Sequence, residues 1–435
     1  MKLKIIFYVI IYELCIWHTC YSQPWSQIST TGSIPELKNH SAVYDPIADR
    51  ILVFGGRNAN GLSSNELWAL RIANYQWLRI IPNGNSPAAR YTQNAYFDSL
   101  NNRMIIWSGQ GIELYNDVWA FNFGTNSWQQ LWPDGNVNGV PLKRYGTASI
   151  FDPESRNIIT FAGFTTSGRF EDTWTFHVDS LKWTDRTNNP HPPKRCLHSA
   201  CFVNDQKKMV IYGGQDTGPL DDIWSLDLTN YTWQELSPAA IPPGRFFYSI
   251  IYTGSENLVV FGGLGTNTLG DMWKFSVQNN IWETVNQGAV YPAARWGHTA
   301  IYIPQSDRMI IFGGEGQTNY NDTWQFTNVS AIGINPISQK IPDKFLLYQN
   351  YPNPFNPTTK IKFNIPPSPQ GEGGRGVRVT IYDVTGREIE TLVNELLNPG
   401  TYEVDFDGRD LSSGVYFYTL VTANYNSTRK MVLLK

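Results

Sequence analysis

Three histidines at equivalent positions of a repeating sequence are the first residues that could support chemistry. His40, His198 and His298 each stand directly before a serine or threonine at the start of an alternating segment. Neutral imidazole is a common ligand of transition metals, so a metal site is one interpretation. Because whatever recurs in most copies of a repeat is usually structural, we favour a packing role. We predict no metal ion and no other cofactor.

Acidic residues at turns suggest a second chemistry, general acid–base catalysis. Asp216 and Glu315 follow glycine pairs, and a carboxyl pair of this kind can act as acid and base. No spacing singles them out, and the chain has no nucleophile elbow, no zinc-spaced histidine pair and no phosphate-binding glycine loop. The sequence therefore predicts no catalytic residue. An extracellular carbohydrate-active enzyme remains the alternative to a binding protein.

Planar side chains point to binding instead. The residue after each of five recurrent arginines is Tyr91, Tyr145, Cys196, Phe246 or Trp296, and Lys38 takes this place in the first copy. Polar residues that differ between copies follow the glycine pairs. Aromatic faces suit sugar rings or apolar side chains. We therefore predict a ligand-binding rim that consists of Arg57, Asn58, Tyr91, Gln110, Tyr145, Asp216, Phe246, Trp296 and Glu315.

These residues belong to a repeat of roughly fifty residues, a period typical of propellers and solenoids. An apolar run closed by two small residues lies upstream of an acid in each copy: ILVFGG (51–56), MIIWSG (104–109), IITFAG (158–163), MVIYGG (209–214), LVVFGG (258–263) and MIIFGG (309–314). An acid, a tryptophan two places on and a second tryptophan nine further on follow: Glu66/Trp68/Trp77, Asp117/Trp119/Trp128, Asp172/Trp174/Trp183, Asp222/Trp224/Trp233 and Asp271/Trp273/Trp282. The sixth copy has Asp322 and Trp324 but no second tryptophan.

Each copy is expected to form four strands, and the six sheets to pack radially. A lone four-stranded sheet cannot bury two faces of large aromatics, whereas a blade between two neighbours can. The two tryptophans of each copy would then fill the wedge between blades. Trp25 stands 52 residues before Trp77, in phase with the missing tryptophan, so an N-terminal strand should complete blade six. Positive φ is expected at Gly55, Gly56, Gly213, Gly214, Gly262, Gly263, Gly313 and Gly314. The fold class is an all-β, six-bladed propeller.

The repeat resembles the kelch family of β-propellers over residues 23–329. The family motif of arginine followed three places on by His-Ser/Thr is complete at Arg195/His198 and Arg295/His298, whereas Leu37 replaces the arginine before His40. The resemblance implies a structural role for these histidines, and a binding face formed by the loops after the glycine pairs. It also implies the alternative functions, galactose-oxidase-like or sialic-acid-epimerase-like. The Tyr-His dipeptide of a copper oxidase is missing here.

The chain termini predict export. Residues 1–22 combine Lys2 and Lys4, the apolar run IIFYVIIY and small residues before Gln23, which is typical of a cleaved signal peptide. No other segment is apolar and long enough to cross a membrane as a helix. The net charge of −3 favours neither nucleic acid nor anionic lipid as a partner. Cys196 and Cys201 are too far apart on one strand for a local disulfide.

A second domain follows a linker at residues 330–345. Alternating segments such as KIKFNI and VRVTIY predict a small β-sandwich, of immunoglobulin-like type, over residues 346–435. The motif series resembles the C-terminal sorting domain of type IX secretion substrates. This resemblance implies contact of residues 346–435 with the outer-membrane secretion machinery of a Gram-negative cell, followed by release or surface attachment. We therefore predict an exported or cell-surface, monomeric propeller that binds an unidentified glycan or protein without catalysis.

Overall fold

The computed structural model describes residues 25–254, 257–327, 329, 342–367, 375–397, 399–409 and 411–435. The predicted signal peptide at residues 1–22 and most of the predicted linker lie outside this range. Strands dominate the described residues, which also contain two single-turn 3-10 helices, Asn204–Gln206 and Pro304–Ser306. None of the helices found in the described part of the chain has the length and apolar character needed to span a membrane.

Six antiparallel four-stranded sheets form the blades of the propeller, and the first three follow one another along the chain. Blade 1 consists of β3 (Ser41–Asp45), β4 (Arg50–Phe54), β6 (Leu67–Arg71) and β7 (Gln76–Ile80). Blade 2 consists of β8 (Asn94–Asp98), β9 (Arg103–Trp107), β10 (Val118–Asn122) and β11 (Ser127–Trp132). Blade 3 consists of β12 (Ala148–Asp152), β13 (Asn157–Thr165), β14 (Gly168–His177) and β15 (Lys182–Asp185).

The remaining blades repeat this order, and two short strands, β2 (Leu37–Lys38) and β5 (Arg57–Asn58), pair beside blade 1. Blade 4 consists of β16 (Ser199–Val203), β17 (Lys208–Gln215), β18 (Pro219–Asp227) and β19 (Thr232–Leu236). Blade 5 consists of β20 (Ser249–Tyr252), β21 (Asn257–Leu264), β22 (Thr268–Ser276) and β23 (Ile281–Thr284). Blade 6 consists of β24 (Thr299–Ile303), β25 (Arg308–Phe312), β26 (Thr323–Thr327) and β1 (Trp25–Ile28).

The N-terminal strand closes the ring, as the sequence predicted. Strand β1 pairs with β26, with Trp25 opposite Phe326 and Gln27 opposite Trp324. Trp25 is 1% exposed and its ring lies 5.3 Å from that of Phe261 in blade 5. The first described segment of the chain is therefore the outer strand of the last blade, and it pairs with the strand that carries Trp324.

The second tryptophan of each repeat packs across a blade boundary, as predicted. Its ring contacts the aromatic residue near the end of the second strand of the preceding blade, at centroid distances of 4.8–5.3 Å. The pairs are Trp77–Phe312, Trp128–Phe54, Trp183–Trp107, Trp233–Phe161, Trp282–Tyr212 and Trp25–Phe261. A buried tryptophan removes about 150–250 Å² from water, so these six contacts supply much of the apolar stabilisation between blades.

The first tryptophan of each repeat requires a correction, because we predicted the same wedge-filling role for it as for the second. These six residues do pack against the apolar clusters at the blade boundaries, but only one is buried, at 8% exposure, and the other five are half-buried. The buried one is Trp224, and the half-buried ones are Trp68, Trp119, Trp174, Trp273 and Trp324.

The first tryptophan of each repeat also makes a hydrogen bond to the acid of its own repeat. The indole N–H of the first tryptophan donates to the carboxylate two residues earlier in all six blades, at 2.6–3.0 Å, as in Trp119–Asp117 and Trp273–Asp271. This bond holds the ring beside the acid of its own repeat. The first tryptophan therefore orients the carboxylate as well as packing at the boundary.

The same carboxylates bind the recurrent arginines. In five blades, both Nη atoms of the arginine donate to one aspartate: Arg90–Asp117, Arg144–Asp172, Arg195–Asp222, Arg245–Asp271 and Arg295–Asp322. These arginines are 0–1% exposed, so they tie the blade together internally. Both recurrent charged positions are thus structural.

Blade 1 shows what happens when the arginine is missing. Leu37 occupies its place, and the acid is Glu66, whose longer side chain pairs with the half-exposed Arg79 at 2.8 Å. The backbone is unchanged, because the carbonyl of Leu37 accepts the Gly314 amide at 2.8 Å, just as the carbonyl of Arg90 accepts that of Gly56. Blade 1 thus combines a glutamate in place of the aspartate with an exposed cation in place of the buried one.

The C-terminal domain is a two-layered β-sandwich, as predicted. One sheet has the order β27 (Leu346–Leu347), β28 (Thr358–Ile365) and β31 (Gly400–Asp407). The other has the order β30 (Glu388–Leu397), β29 (Arg375–Tyr382), β32 (Gly414–Thr422) and β33 (Tyr425–Leu433). The alternating apolar residues of both sheets, including Ile361, Phe363, Val379 and Tyr418, form one core.

Candidate functional site

A closed ring of backbone hydrogen bonds, which we call the hub ring, surrounds the propeller axis. One residue from each blade donates its amide to the carbonyl of the equivalent residue in the preceding blade, at 2.7–3.4 Å. All six have φ between 54° and 65°, although threonine, leucine and phenylalanine disfavour this conformation. The members are Asn39, Thr92, Gly146, Leu197, Phe247 and Gly297. This ring holds the first strands of all the blades at one radius.

The three recurrent histidines lie directly below the hub ring and connect blades. His40 Nε2 bonds Thr299 Oγ1 of blade 6 at 2.8 Å, and His298 Nε2 bonds Ser249 Oγ of blade 5 at 2.9 Å. Both rings also pack edge-on against an aromatic residue of the preceding blade. Burial lowers the pKa of His40 to about 3 and that of His298 well below its usual range. These imidazoles are neutral hydrogen-bonding groups between blades.

His198 differs from the other two because its expected partner is missing. Its ring packs against Phe161 at 5.7 Å, yet neither nitrogen has a hydrogen-bond partner among the described residues. The position equivalent to Thr299 and Ser249 is Ala148 in blade 3. Burial and the nearby Arg195 lower the pKa of His198 well below its usual range. The described residues contain no group of three or more His, Cys, Asp or Glu arranged to hold a metal ion.

The predicted rim residues occupy one end of the propeller, which we call the upper end. The residue after the recurrent arginine forms an antiparallel bridge with a residue after the glycine pair in the same blade. The six bridged pairs are Lys38–Arg57, Tyr91–Gln110, Tyr145–Phe164, Cys196–Gln215, Phe246–Leu264 and Trp296–Glu315. We define these twelve residues as the rim. The structure thus brings two sequence-distant sets into one circle.

Charged and amide groups dominate the rim on blades 6, 1 and 2. Lys38 forms an ion pair with Glu315 and lies 4.9 Å from the Trp296 ring, and Arg57 lies 4.9 Å from the Tyr91 ring. The Tyr91 hydroxyl donates to Gln110 Oε1 at 2.5 Å. Burial and the charge of Arg57 lower the pKa of Lys38. The predicted Asn58 accepts two backbone amides and shapes the loop.

The rim is mostly apolar on blades 3 to 5, where Gln215 is the polar exception. Cys196, Leu197 and Phe246 are buried, and Tyr145, Phe164, Phe247 and Leu264 pack against them. Phe246 is 8% exposed, so it supports the surface instead of presenting a free face. The ring centroids of Tyr91 and Tyr145 lie 6.5 Å apart, where the apolar half of the rim adjoins the charged half. The predicted Asp216 lies outside the cluster and pairs with Arg169 at 3.7 Å.

Several residues of this end were not predicted as site residues. Arg169 lies over Phe164 at 5.5 Å, and Phe247 packs on Trp296 at 5.2 Å. Ile112 and Leu62, at the tips of the loops beside the rim on blades 2 and 1, are 101% and 63% exposed. Such residues carry no repeat signal, because they lie in loops that differ between blades. An apolar residue within a polar loop is the signal that would have identified them.

The geometry defines a closed six-bladed propeller with a chemically divided upper rim, and comparisons with known proteins agree. The profile described as the KLHDC2/KLHL20/DRC7 Kelch-repeats domain matches residues 11–186, 99–287 and 186–332. The profile of the secretion system C-terminal sorting domain matches residues 349–434. The chain therefore belongs to the kelch-repeat family and carries a type IX secretion sorting domain. That domain implies secretion or attachment to the cell surface.

Individual relatives are similar over part of this chain. A stretch of 242 residues is 26% identical to the flagellar outer arm dynein alpha chain of Chlamydomonas reinhardtii, and 236 residues are 27% identical to host cell factor 1 of Homo sapiens. These matches cover 50% and 49% of this chain but 5% and 11% of those proteins. A solved structure titled "Structure of YjhT" has a TM-score of 0.53 at 16% identity, covering 68% of this chain and 96% of that one. This likeness shows a shared fold.

Proposed function

We propose that the propeller is a non-enzymatic binding module whose upper rim recognises an extracellular partner. Export through the type IX machinery, by way of residues 346–435, would place the rim outside a Gram-negative cell. A glycan and a protein are both compatible with aromatic side chains at the rim. The geometry favours a protein, since exposed apolar loop tips stand beside paired charges.

The observation that carries this proposal is the exposure of Ile112 and Leu62 next to the charged half of the rim. Solvent-exposed apolar side chains contribute to binding when a partner covers them. The Lys38–Glu315 pair and the Arg57–Tyr91 contact can be exchanged for contacts with a partner of mixed charge. Apolar anchors surrounded by polar groups are typical of protein interfaces.

The test compares loop-tip variants at opposite ends of the propeller. The mature protein and its Ile112→Ser, Leu62→Ser and Trp296→Ala variants are assayed for binding to immobilised extracellular proteins of the producing cells and to a glycan array. Leu100→Ser is the matched control, because Leu100 is 76% exposed in a hairpin at the opposite end. We expect protein binding that falls at least tenfold in the three rim variants and is unchanged in the control.

Two results would contradict the proposal. Equal binding by rim variants and the Leu100→Ser control would show that the upper end is not the interface. Binding to glycans alone, lost on Trp296→Ala, would assign the rim to a carbohydrate.

A further inference from the structure

The lower end of the propeller axis carries a ring of aromatic residues that the rim hypothesis does not use. The fourth residue of the first strand is aromatic in every blade: Tyr44, Phe97, Phe151, Phe202, Tyr252 and Tyr302. All six are half-buried, and they line an open cavity of about 430 Å³, which we call the bowl. One planar side chain from each blade therefore surrounds the axis at this end.

Small side chains keep the bowl open above the aromatic ring. The residues two places before the aromatics include Ala42, Ala95, Ala200 and Ala300. They line the bowl and also a second cavity on the axis, which the hub-ring residues line as well. Ring contacts support two of the phenylalanines: Phe97 lies 6.3 Å from Phe123, and Phe151 lies 6.3 Å from Tyr96, which also lines the bowl. The volume of the bowl lies within the range of small-molecule sites.

The tyrosines of the bowl offer acceptors to a ligand. The Tyr44 hydroxyl donates to Asp49 at 2.8 Å, that of Tyr302 donates to Asp307 at 2.9 Å, and that of Tyr252 donates to Asp205. A phenol has one proton, so a hydroxyl that already donates can only accept from a ligand. Carboxylates are acceptors as well. The bowl therefore suits a ligand that brings its own hydrogen-bond donors.

Positive charge is already present beside two of the phenylalanines. Arg156 lies 5.4 Å from the Phe151 ring, and Lys207 lies 5.8 Å from the Phe202 ring. Arg156 is held by two aspartates and Lys207 by Glu154. Both cations are therefore already paired with carboxylates, so neither is free to bind a charged ligand. The hydrogen-bond acceptors of the bowl accordingly suit a neutral ligand that is rich in donors.

We propose that the bowl is a second binding site, for a ring of a neutral carbohydrate. A sugar ring has apolar C–H faces that stack on aromatic side chains and hydroxyl groups that donate to the tyrosines and carboxylates. This site is separate from the upper rim in position and in chemistry. It stands whether or not the rim binds a protein.

The test is a glycan array of neutral oligosaccharides, followed by calorimetric titration of each positive probe into the full mature chain. Ser99→Trp blocks the bowl without removing any of its aromatics, because Ser99 is an exposed residue of the lining. Ser155→Trp is the matched control, an exposed serine in the neighbouring hairpin that does not line the bowl. Phe202→Ala removes one stacking face.

We expect at least one neutral glycan whose affinity falls tenfold or more in Ser99→Trp and Phe202→Ala, but not in Ser155→Trp or Trp296→Ala. Thermal melting checks that the blocked variant remains folded. The proposal is overturned if no neutral glycan binds, or if binding is insensitive to Ser99→Trp. It is equally overturned if the bowl takes up an apolar dye such as anilinonaphthalene sulfonate in a Ser99-dependent way while no sugar binds.

Discussion

The amide of Asn39 donates to the carbonyl of Gly297 at 2.7 Å, and this bond joins the first blade to the last at the hub. The other five blade boundaries have the same bond, so the seam between the ends of the domain has the same backbone contact at the hub as every other boundary. The outer side of the same seam is closed by Trp25. The ring is therefore locked at both its inner and outer radius.

Acid sensitivity is the first expected consequence of the buried histidines. The pKa of His40, His198 and His298 is lowered in the folded protein, to about 3 for His40, whereas an unfolded histidine titrates near 6.5. The unfolded chain then binds protons that the folded chain does not, so stability is lost as the pH falls below about 6.5. Three such groups give a slope of about 4 kcal/mol per pH unit. The midpoint of urea denaturation, measured at several pH values between 8 and 5, tests this slope.

The control for this prediction is His298→Gln. Blade 2 already carries Gln93 at the equivalent position, where its amide donates to Ser41 Oγ at 3.1 Å. Glutamine does not titrate, so the variant should lose about one third of the slope while it keeps the contact between blades. If the pH dependence of stability is the same in His298→Gln, the buried histidines are not the cause of the acid sensitivity.

Ala148→Ser should stabilise the propeller by about 1 kcal/mol, because it supplies the missing partner of His198. The equivalent hydroxyl at Ser249 bonds His298 at 2.9 Å, and the backbone geometry repeats between blades. The reverse change, Ser249→Ala, should cost about the same amount by leaving His298 unpaired. Thermal melting of both variants measures the effects. A destabilised Ala148→Ser would show that the blade 3–4 boundary cannot accept a hydroxyl.

The buried ion pair of blade 2 should contribute far more than its counterpart in blade 1. Asp117→Asn leaves Arg90, whose side chain is 0% exposed, without its anion and should cost about 3–5 kcal/mol. Glu66→Gln is the control, since its partner Arg79 is 51% exposed and the loss should stay below about 1 kcal/mol. Urea denaturation of the two variants separates them. Equal losses would mean that burial does not set the strength of these pairs.

Trp25→Ala should destabilise the propeller by about 3–5 kcal/mol, as expected for a large aromatic removed from a packed site. The ring of Trp25 lies between Phe261 and Phe326, so its removal opens a cavity at the seam. Trp25→Phe keeps part of the contact and should cost less. Unfolding measured by tryptophan fluorescence and by circular dichroism provides the comparison. A melting temperature equal to that of the unchanged protein would show that β1 does not hold the ring closed.

Most of the fold follows from the sequence because the repeat is periodic. The spacing of Trp68 and Trp77 recurs, and Trp25 stands in phase with the missing member, so the number of blades and the closing strand were predictable. The different burial of the two tryptophans was not predictable, because it depends on how each ring packs between blades. The two residues of each bridged rim pair were predicted as members of separate sets, one set after the arginines and one after the glycine pairs. Their pairing, as in Trp296–Glu315, required the strand register near the axis.

The amino-acid sequence by itself determined the blade count, the closure by β1 and the sandwich, because these depend on local alternation and on a period that repeats along the chain. Only the tertiary structure decided which groups meet across blades: the hub ring, the isolated His198 beside Ala148, and the bowl of Tyr44 and its five equivalents. The physical reason is that these contacts join residues of different blades, which lie about fifty positions or more apart in the sequence. Their distances are set by the radius of the closed ring.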